Sequence, residues 1–332
     1  MRLKYFGPNV GYADTLFDPV AIGKAGFNAV AINLTKRDLS KLRIFIAKCH
    51  LIGIQVCGRV VGGSLDGYAN PREAALDYVT LGCDLLTIGN ETDGSVDVNI
   101  DGSWIQSKND WERMREAFVD VFRGTTPMYG PGTVTGDPEK LRPFTLGGLT
   151  GVDNHLYTAT PDTIDDMLES YDQFDNTYGF KERLSSEWGW PVPDPEQRGQ
   201  YVYDLIRATE RMNDFRRVPL VGMFPYCWDD VQHVQDFYLN HPTIISHIKR
   251  LGYGPEEVPI VPPVIAPVNN FEFVLGVKAK AAELRAKGID VGTPLMHERY
   301  PWEGVDFSYQ RTTTGKFEWD TIAQVVQFYA SK

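Results

Sequence analysis

Glu91 in LLTIGNETDG (residues 85–94) and Glu187 in RLSSEWGW (residues 183–190) each follow a short β-rich run and precede a glycine-bearing turn. Two carboxylates facing one bound group are what cleavage of a glycosidic bond requires. One protonates the leaving oxygen, while the other attacks the sugar carbon or activates a water. A separation of about 5 Å goes with a covalent intermediate and retained configuration, a wider gap with inversion. The two pKa values must also be held apart, and a neighbouring negative charge raises that of the proton donor. One carboxylate by itself does little of this chemistry, so the question is which elements bring the two together.

From residue 2 to about 228 the chain alternates β-rich apolar runs with amphipathic stretches. The runs are RLKYFGPN, FNAVAINLT, GIQVCGRVV, CDLLTIGNE, TPMYGPGTV, GVDNHLY, RLSSEWGW and VPLVGMFPYCW. Helices are expected over LSKLRIFIAKCHL, PREAALDYVTLG, WERMREAFVDVFRG, TIDDMLESYDQFDNTYG and EQRGQYVYDLIRATERMNDF. Asn109 with Glu112 three residues on reads as a capping box opening the helix after the fourth run. Eight strands alternating with helices over roughly 250 residues predict a (β/α)8 TIM barrel. A doubly wound sheet would carry a G-x-G-x-x-G turn after its first strand, and FGPNVGYAD lacks it.

The expected organisation is a barrel over residues 1–252, a proline-rich linker over 253–270 and a small C-terminal α+β extension over 271–332. Five prolines between Pro255 and Pro267 mark the linker as semi-rigid and extended. FEFVLGVKAKAAELRAKG reads as a helix ending at Gly288. FSYQRTTTGKFEWDTIAQVVQFY reads as a β-meander with a turn at Gly315.

Function in such a barrel is carried by the C-terminal ends of the strands and the loops after them. Those ends supply Asn9, Asn33 and Arg59 from the first three strands, then Asn90 and Glu91 from the fourth. The sixth supplies His155 and Tyr157, and the seventh Ser186, Glu187, Trp188 and Trp190. The eighth supplies Tyr226 and Trp228. Strands four and seven face each other across the mouth, which puts Glu91 and Glu187 within reach of one bound group. Four tryptophans near the top loops suit sugar stacking: Trp188, Trp190, Trp228, and Trp104 in the long loop GSVDVNIDGSWIQSKND.

Composition narrows the ligand. The chain has 332 residues, 42% apolar, and a net charge of −11 with both signs interspersed. That argues against nucleic acid or an anionic membrane as partner and suits a neutral oligo- or polysaccharide. No run reaches the roughly 18 apolar residues of a membrane span. The N-terminus MRLKYFGPNV lacks the apolar core of a signal peptide, so synthesis in the cytoplasm is expected, with release by lysis if the target lies outside. Cys49, Cys57, Cys83 and Cys227 show no CxxC spacing and read as reduced and structural, three of them in strands. Asn90-Glu91-Thr92 matches a glycosylation acceptor, which the absent signal discounts. No metal or organic cofactor is called for. A metal-dependent barrel would end its first strand in His-x-His, and of six histidines His155 is the one on a strand end. A phosphate-binding barrel would place small glycine loops where Trp188, Trp190 and Trp228 stand.

The Asn-Glu ending the fourth run, the Glu ending the seventh, the His-x-Tyr on the sixth and the Trp on the eighth together resemble clan A of the retaining glycoside hydrolases. That clan includes cellulases, mannanases and many β-glycosidases. The resemblance covers residues 2 to about 240. It implies cleavage of β-glycosidic bonds by double displacement, with Glu91 as acid/base and Glu187 as nucleophile. It further implies that Asn90 holds the sugar 2-hydroxyl and that Tyr157 hydrogen-bonds Glu187 and keeps it ionised. His155 would join the acid/base network, and Trp228 would form the floor under the sugar. Arg59 matches the arginine that supports the nucleophile, although in cellulase-like members it lies on the second strand rather than the third. The tail, with QRTTTGKFEW, resembles those of phage and bacterial cell-wall or polysaccharide hydrolases. This leaves two alternatives open: a lysin or depolymerase acting on a bacterial envelope glycan, and a sugar-binding barrel without catalysis. The latter would normally have lost one of the two glutamates. Oligomeric state cannot be read from these patterns.

Overall fold

A computed structural model describes residues 1–11, 18–90, 108–133, 138–157, 159–228, 237–255, 275–287, 289–291, 307–311, 315–320 and 325–330. Glu91 and Trp104 lie outside the described residues, as does most of the proline-rich segment. The chain divides into two compact units, Met1–Val258 and Pro259–Lys332.

The first unit is a (β/α)8 barrel. Its elements run β1 (Tyr5–Phe6), α1 (Pro19–Lys24), β2 (Ala29–Asn33), α2 (Leu39–Leu51), β3 (Gln55–Val60), α3 (Pro71–Val79), β4 (Leu85–Ile88), α4 (Lys108–Phe122) and β5 (Met128–Thr133). They continue with β6 (Gly151–Asn154), α5 (Ile164–Glu169), α6 (Asp172–Tyr178), β7 (Arg183–Trp188), α7 (Pro195–Asn213), β8 (Leu220–Pro225) and α8 (Pro242–Leu251). All eight strands are parallel, in the order β1-β8-β7-β6-β5-β4-β3-β2. The ring closes between β1 and β2, where Asn9 bridges Ala31 and the Val10 N–H donates to the Ala31 carbonyl at 2.9 Å.

Local chemistry sets the helix ends. Asp18, Asn70 and Asp194 each cap a helix whose first residue is proline, and the cap side chain accepts from backbone N–H groups of the first turn. Gly179 ends α6 at φ 70°, a left-handed position that glycine takes without strain. The helix α4 is already formed at Lys108, so Asn109 lies inside its first turn and not at the cap position expected for it. The stretch read as one helix from Thr163 is two, α5 and α6. The break turns Tyr171 toward β5, where its hydroxyl lies 3.0 Å from that of Thr133.

Two apolar layers hold the barrel. Tyr5, Ala29, Ala31, Cys57, Leu85, Tyr129, Leu184, Val221 and Phe224 fill its interior, and a larger cluster packs the helices on its outside. The four cysteines are buried and unbridged. Cys57 lies on β3, Cys83 and Cys227 flank strands rather than lying in them, and Cys49 is on α2. Burial pushes the Cys49 and Cys83 thiols up to about 12, so they behave as small apolar groups. Among the described residues, no helix is long and apolar enough to cross a membrane and no group of three or more His, Cys, Asp or Glu could hold a metal.

At the start of β7 the fully buried Arg183 is held by Asp175, also fully buried, by Asp172 Oδ1 at 2.6 Å and by the Leu168 carbonyl at 2.9 Å. Removing one partner leaves a buried cation short of acceptors, a loss of about 3–5 kcal/mol. Asp175→Ala is therefore expected to lower the unfolding free energy from urea titration by that order. A loss under about 1 kcal/mol would contradict this role for the pair.

The second unit contains α9 (Leu275–Ala286) and an antiparallel sheet of β9 (Phe307–Arg311), β10 (Gly315–Asp320) and β11 (Val325–Ala330) in the order β11-β10-β9. Phe317 is in register with Phe328 on one side and Gln310 on the other. Helix and meander occur in the order expected.

Candidate active site

The carboxylate of Glu187 is the centre of the barrel's C-terminal mouth. Its inward direction comes from an irregularity in β7. Ser185 pairs with Met223 and Trp188 with Pro225, so three steps along β7 match two along β8. Leu184 points into the barrel, and strict alternation would then send Ser186 inward and Glu187 outward. The extra residue lets both Ser186 and Glu187 face inward and turns Trp188 out, the usual effect of a β-bulge.

Four elements supply partners to Glu187. Arg59, from β3 and 2% exposed, forms an ion pair with Oε1. Asn9, after β1, approaches the same oxygen with Nδ2 at 3.4 Å. The Tyr157 hydroxyl donates to Oε2 at 2.8 Å, and His155 Nδ1 lies 3.8 Å from that oxygen. His155 and Tyr157 lie just beyond β6. The ladder continues through them, since the His155 N–H donates to the Thr133 carbonyl and the Leu156 N–H to that of Glu187. Arg59 also donates to Asn90 Oδ1 at 2.7 Å and Asn33 Oδ1 at 3.3 Å, which draws the ends of β2, β3 and β4 to one point.

Glu187 is 9% exposed. Burial pushes its carboxyl pKa up, but the charges of Arg59 and His155 and the hydrogen bonds from Tyr157 and Arg59 outweigh this and hold it below the ordinary carboxylate range. A folded-state pKa below the unfolded value contributes stability that is present above the unfolded pKa. That stability is lost as pH falls through the folded one. Glu187 is thus an ionised, largely desolvated carboxylate at neutral pH. Removing the Tyr157 hydroxyl removes one group that favours the ionised form. Tyr157→Phe is expected to raise the Glu187 pKa and move the acid limb of any Glu187-dependent pH–rate profile to higher pH. An unmoved or lowered limb would contradict the hydrogen bond's role.

An aromatic wall adjoins this carboxylate. The Phe237 ring stands edge-on to Tyr157 at 6.3 Å and to Tyr226 at 6.4 Å. Gly189 allows it in, since a Cβ there would lie 2.8 Å from the Phe237 ring. Trp188 and Trp228 are placed otherwise than expected. Trp188 is fully buried outside the barrel with its ring 6.0 Å from Tyr201 of α7, because the bulge points Glu187 rather than its neighbour into the mouth. Trp228 is 3% exposed and packs edge-on to Phe27 in the outer apolar layer. Neither ring can form the floor of an open site. Tyr226, half-buried and bridged to Asn9, takes the strand-end position beside Glu187. Trp190 is 45% exposed and rests edge-on to Tyr201 at 5.3 Å. Of the expected site residues, Asn33, Arg59, Asn90, His155, Tyr157 and Glu187 come together. Asn9, Ser186 and Tyr226, also expected at strand ends, join them, and Phe237 and Asp153 complete the group.

No protein-family model matches the chain, and no curated protein matches it in sequence. Likeness appears in three dimensions. A β-glycosidase of known structure matches over 73% of this chain and 86% of its own, at 11% identity and a TM-score of 0.52. An endoglucanase of Pseudomonas stutzeri matches over 76% and 97%, at 16% identity and a TM-score of 0.49. A xyloglucanase of Bacteroides ovatus matches over 74% of each chain, at 14% identity and a TM-score of 0.47. At 11% identity the likeness to the β-glycosidase is one of fold, the (β/α)8 barrel already described.

Proposed function

We propose that this chain is a retaining glycoside hydrolase that cleaves β-glycosidic bonds of an oligo- or polysaccharide, with Glu187 as nucleophile. The observation that carries the reading is the carboxylate of Glu187, buried at the C-terminal mouth of the barrel. It is kept ionised by a buried arginine and a tyrosine hydroxyl. Structural ion pairs also bury carboxylates, as Arg183 and Asp175 do at the start of β7. Glu187 is at the end of a barrel where loops converge, beside half-buried aromatic rings. The β-glycosidase of known structure cited above agrees with this reading at the level of fold.

In the first step a Glu187 oxygen attacks the anomeric carbon as the bond to the leaving oxygen breaks, and Glu91 transfers its proton to that oxygen. In the second, water attacks the same carbon, Glu91 takes its proton, and the bond to Glu187 breaks. Glu91 has this role because it directly follows Asn90, whose side chain is bonded to the arginine that pairs with Glu187. Arg59, charged throughout, stabilises Glu187 as it leaves the sugar. Tyr226 and Phe237 offer apolar surface to the CH-rich face of a pyranose. The route calls for no metal or organic cofactor.

A panel of aryl β-glycosides and polysaccharides tests this, with proton NMR of the first anomer released and Glu187→Gln as control. The β-anomer should form first. First release of the α-anomer would reject retention, and no turnover across the panel would reject the activity.

A further inference from the structure

We propose that Asp153 is a positioning residue for Glu187, acting through Ser186; the proposal rests on reading Glu187 as the nucleophile. Asp153 is fully buried on β6, the strand beside β7. Its Oδ1 accepts the backbone N–H of Ser186 at 2.8 Å, and its Oδ2 accepts the Ser186 hydroxyl at 2.5 Å. Both groups belong to the residue immediately before Glu187, inside the stretch of β7 that carries the extra residue. A bulge removes its residues from the regular ladder, so their direction must be held by other contacts. Here one buried carboxylate grips backbone and side chain of the bulge together.

The same group reaches the other side of Glu187. His155 Nε2 lies 3.3 Å from the Ser186 hydroxyl and 4.0 Å from Asp153 Oδ2, while Nδ1 of the ring faces Glu187 at 3.8 Å. With its proton given to Asp153, the Ser186 oxygen is an acceptor on the His155 side. The clamp therefore sets both the backbone that carries Glu187 and the ring that flanks it. Gly132 on β5 closes the cluster, since a Cβ there would lie 2.9 Å from His155 Nε2 and 3.3 Å from Asp153 Oδ2. A buried carboxylate is costly unless bonded. Asp153 nevertheless stands one strand away from Glu187, beside the same arginine.

Asp153→Asn keeps an acceptor for the backbone N–H and loses the one for the hydroxyl, and Ser186→Ala removes the hydroxyl itself. Each is expected to lower kcat on an aryl β-glycoside about 10- to 100-fold with KM nearly unchanged. The double variant should be no slower than either single one, because both delete the same hydrogen bond. Multiplying losses, or a rise in KM with kcat intact, would overturn the proposal. A second arm needs no substrate. In a crystal structure of Asp153→Ala, or of Ser186→Ala if the former does not fold, the Glu187 carboxyl should leave hydrogen-bond distance of Arg59 or Tyr157. Retention of both contacts would overturn the clamp even in an active enzyme. Displacement of Glu187 in a protein that cleaves no glycoside would instead uphold the clamp and reject the hydrolase reading.

Discussion

Glu187→Gln is expected to lower turnover of an aryl β-glycoside by about 10⁴- to 10⁶-fold, the range seen when a covalent nucleophile is removed. An amide cannot form the glycosyl ester. Glutamine is preferred to alanine for a physical reason. Arg59 is buried, and truncating its partner outright leaves a desolvated cation, at a cost of about 3–5 kcal/mol. The amide oxygen can still accept from Arg59 or from Tyr157. Circular dichroism and the urea midpoint, measured on the same sample, separate lost chemistry from lost folding. Activity within tenfold of the parent in a folded variant would remove Glu187 from the mechanism.

Glu91→Ala should behave differently, because under the proposed mechanism it removes the proton donor and leaves the nucleophile. Substrates with poor leaving groups should slow by about 10²- to 10⁴-fold, the usual contribution of general acid catalysis. A dinitrophenyl glycoside, whose leaving group needs no proton, should still form the glycosyl–enzyme at a useful rate. The second step then stalls for want of a base. Azide, an anionic nucleophile that needs no deprotonation, should relieve the stall and yield a β-glycosyl azide. No rate gain with azide, or an α-configured azide, would overturn the assignment of roles. The fold would stand either way.

Much of the barrel was legible in the chain because its strands are buried on both faces. Runs such as FNAVAINLT and GIQVCGRVV are then nearly continuous in apolar residues, and turns punctuate them. Helix detail was less legible. Six residues at Pro19–Lys24 show too little period to register. Thr163 to Gly179 keeps one helical rhythm across a break that Tyr171 and its contact with Thr133 impose from outside.

At the site, residue types and strand ends pointed to Asn33, Arg59, Asn90, His155, Tyr157 and Glu187. What failed was direction. Period two cannot reveal a bulge, and without it Trp188 and Glu187 cannot be told apart as inward or outward. Trp228 was misread for a related reason, since a strand end does not say which layer its ring enters. Asp153 carried a usable signal. It precedes His155 and Tyr157 at intervals of two, so all three share one face of β6 and its extension. Phe237 carried none, being brought beside Tyr157 by the chain after β8 rather than by any strand pattern.

Of all the steps proposed, formation of a covalent bond between sugar and protein is the one on which the others depend. A panel of 2-deoxy-2-fluoro-β-glycosides with activated leaving groups would trap it, and mass spectrometry of the digested protein would locate it. The expected result is one added glycosyl mass on the peptide that bears Glu187, absent from the Glu187→Gln variant. A label on any other residue, or full turnover of the natural glycan with no label formed and an inverted product, would contradict the mechanism at its base.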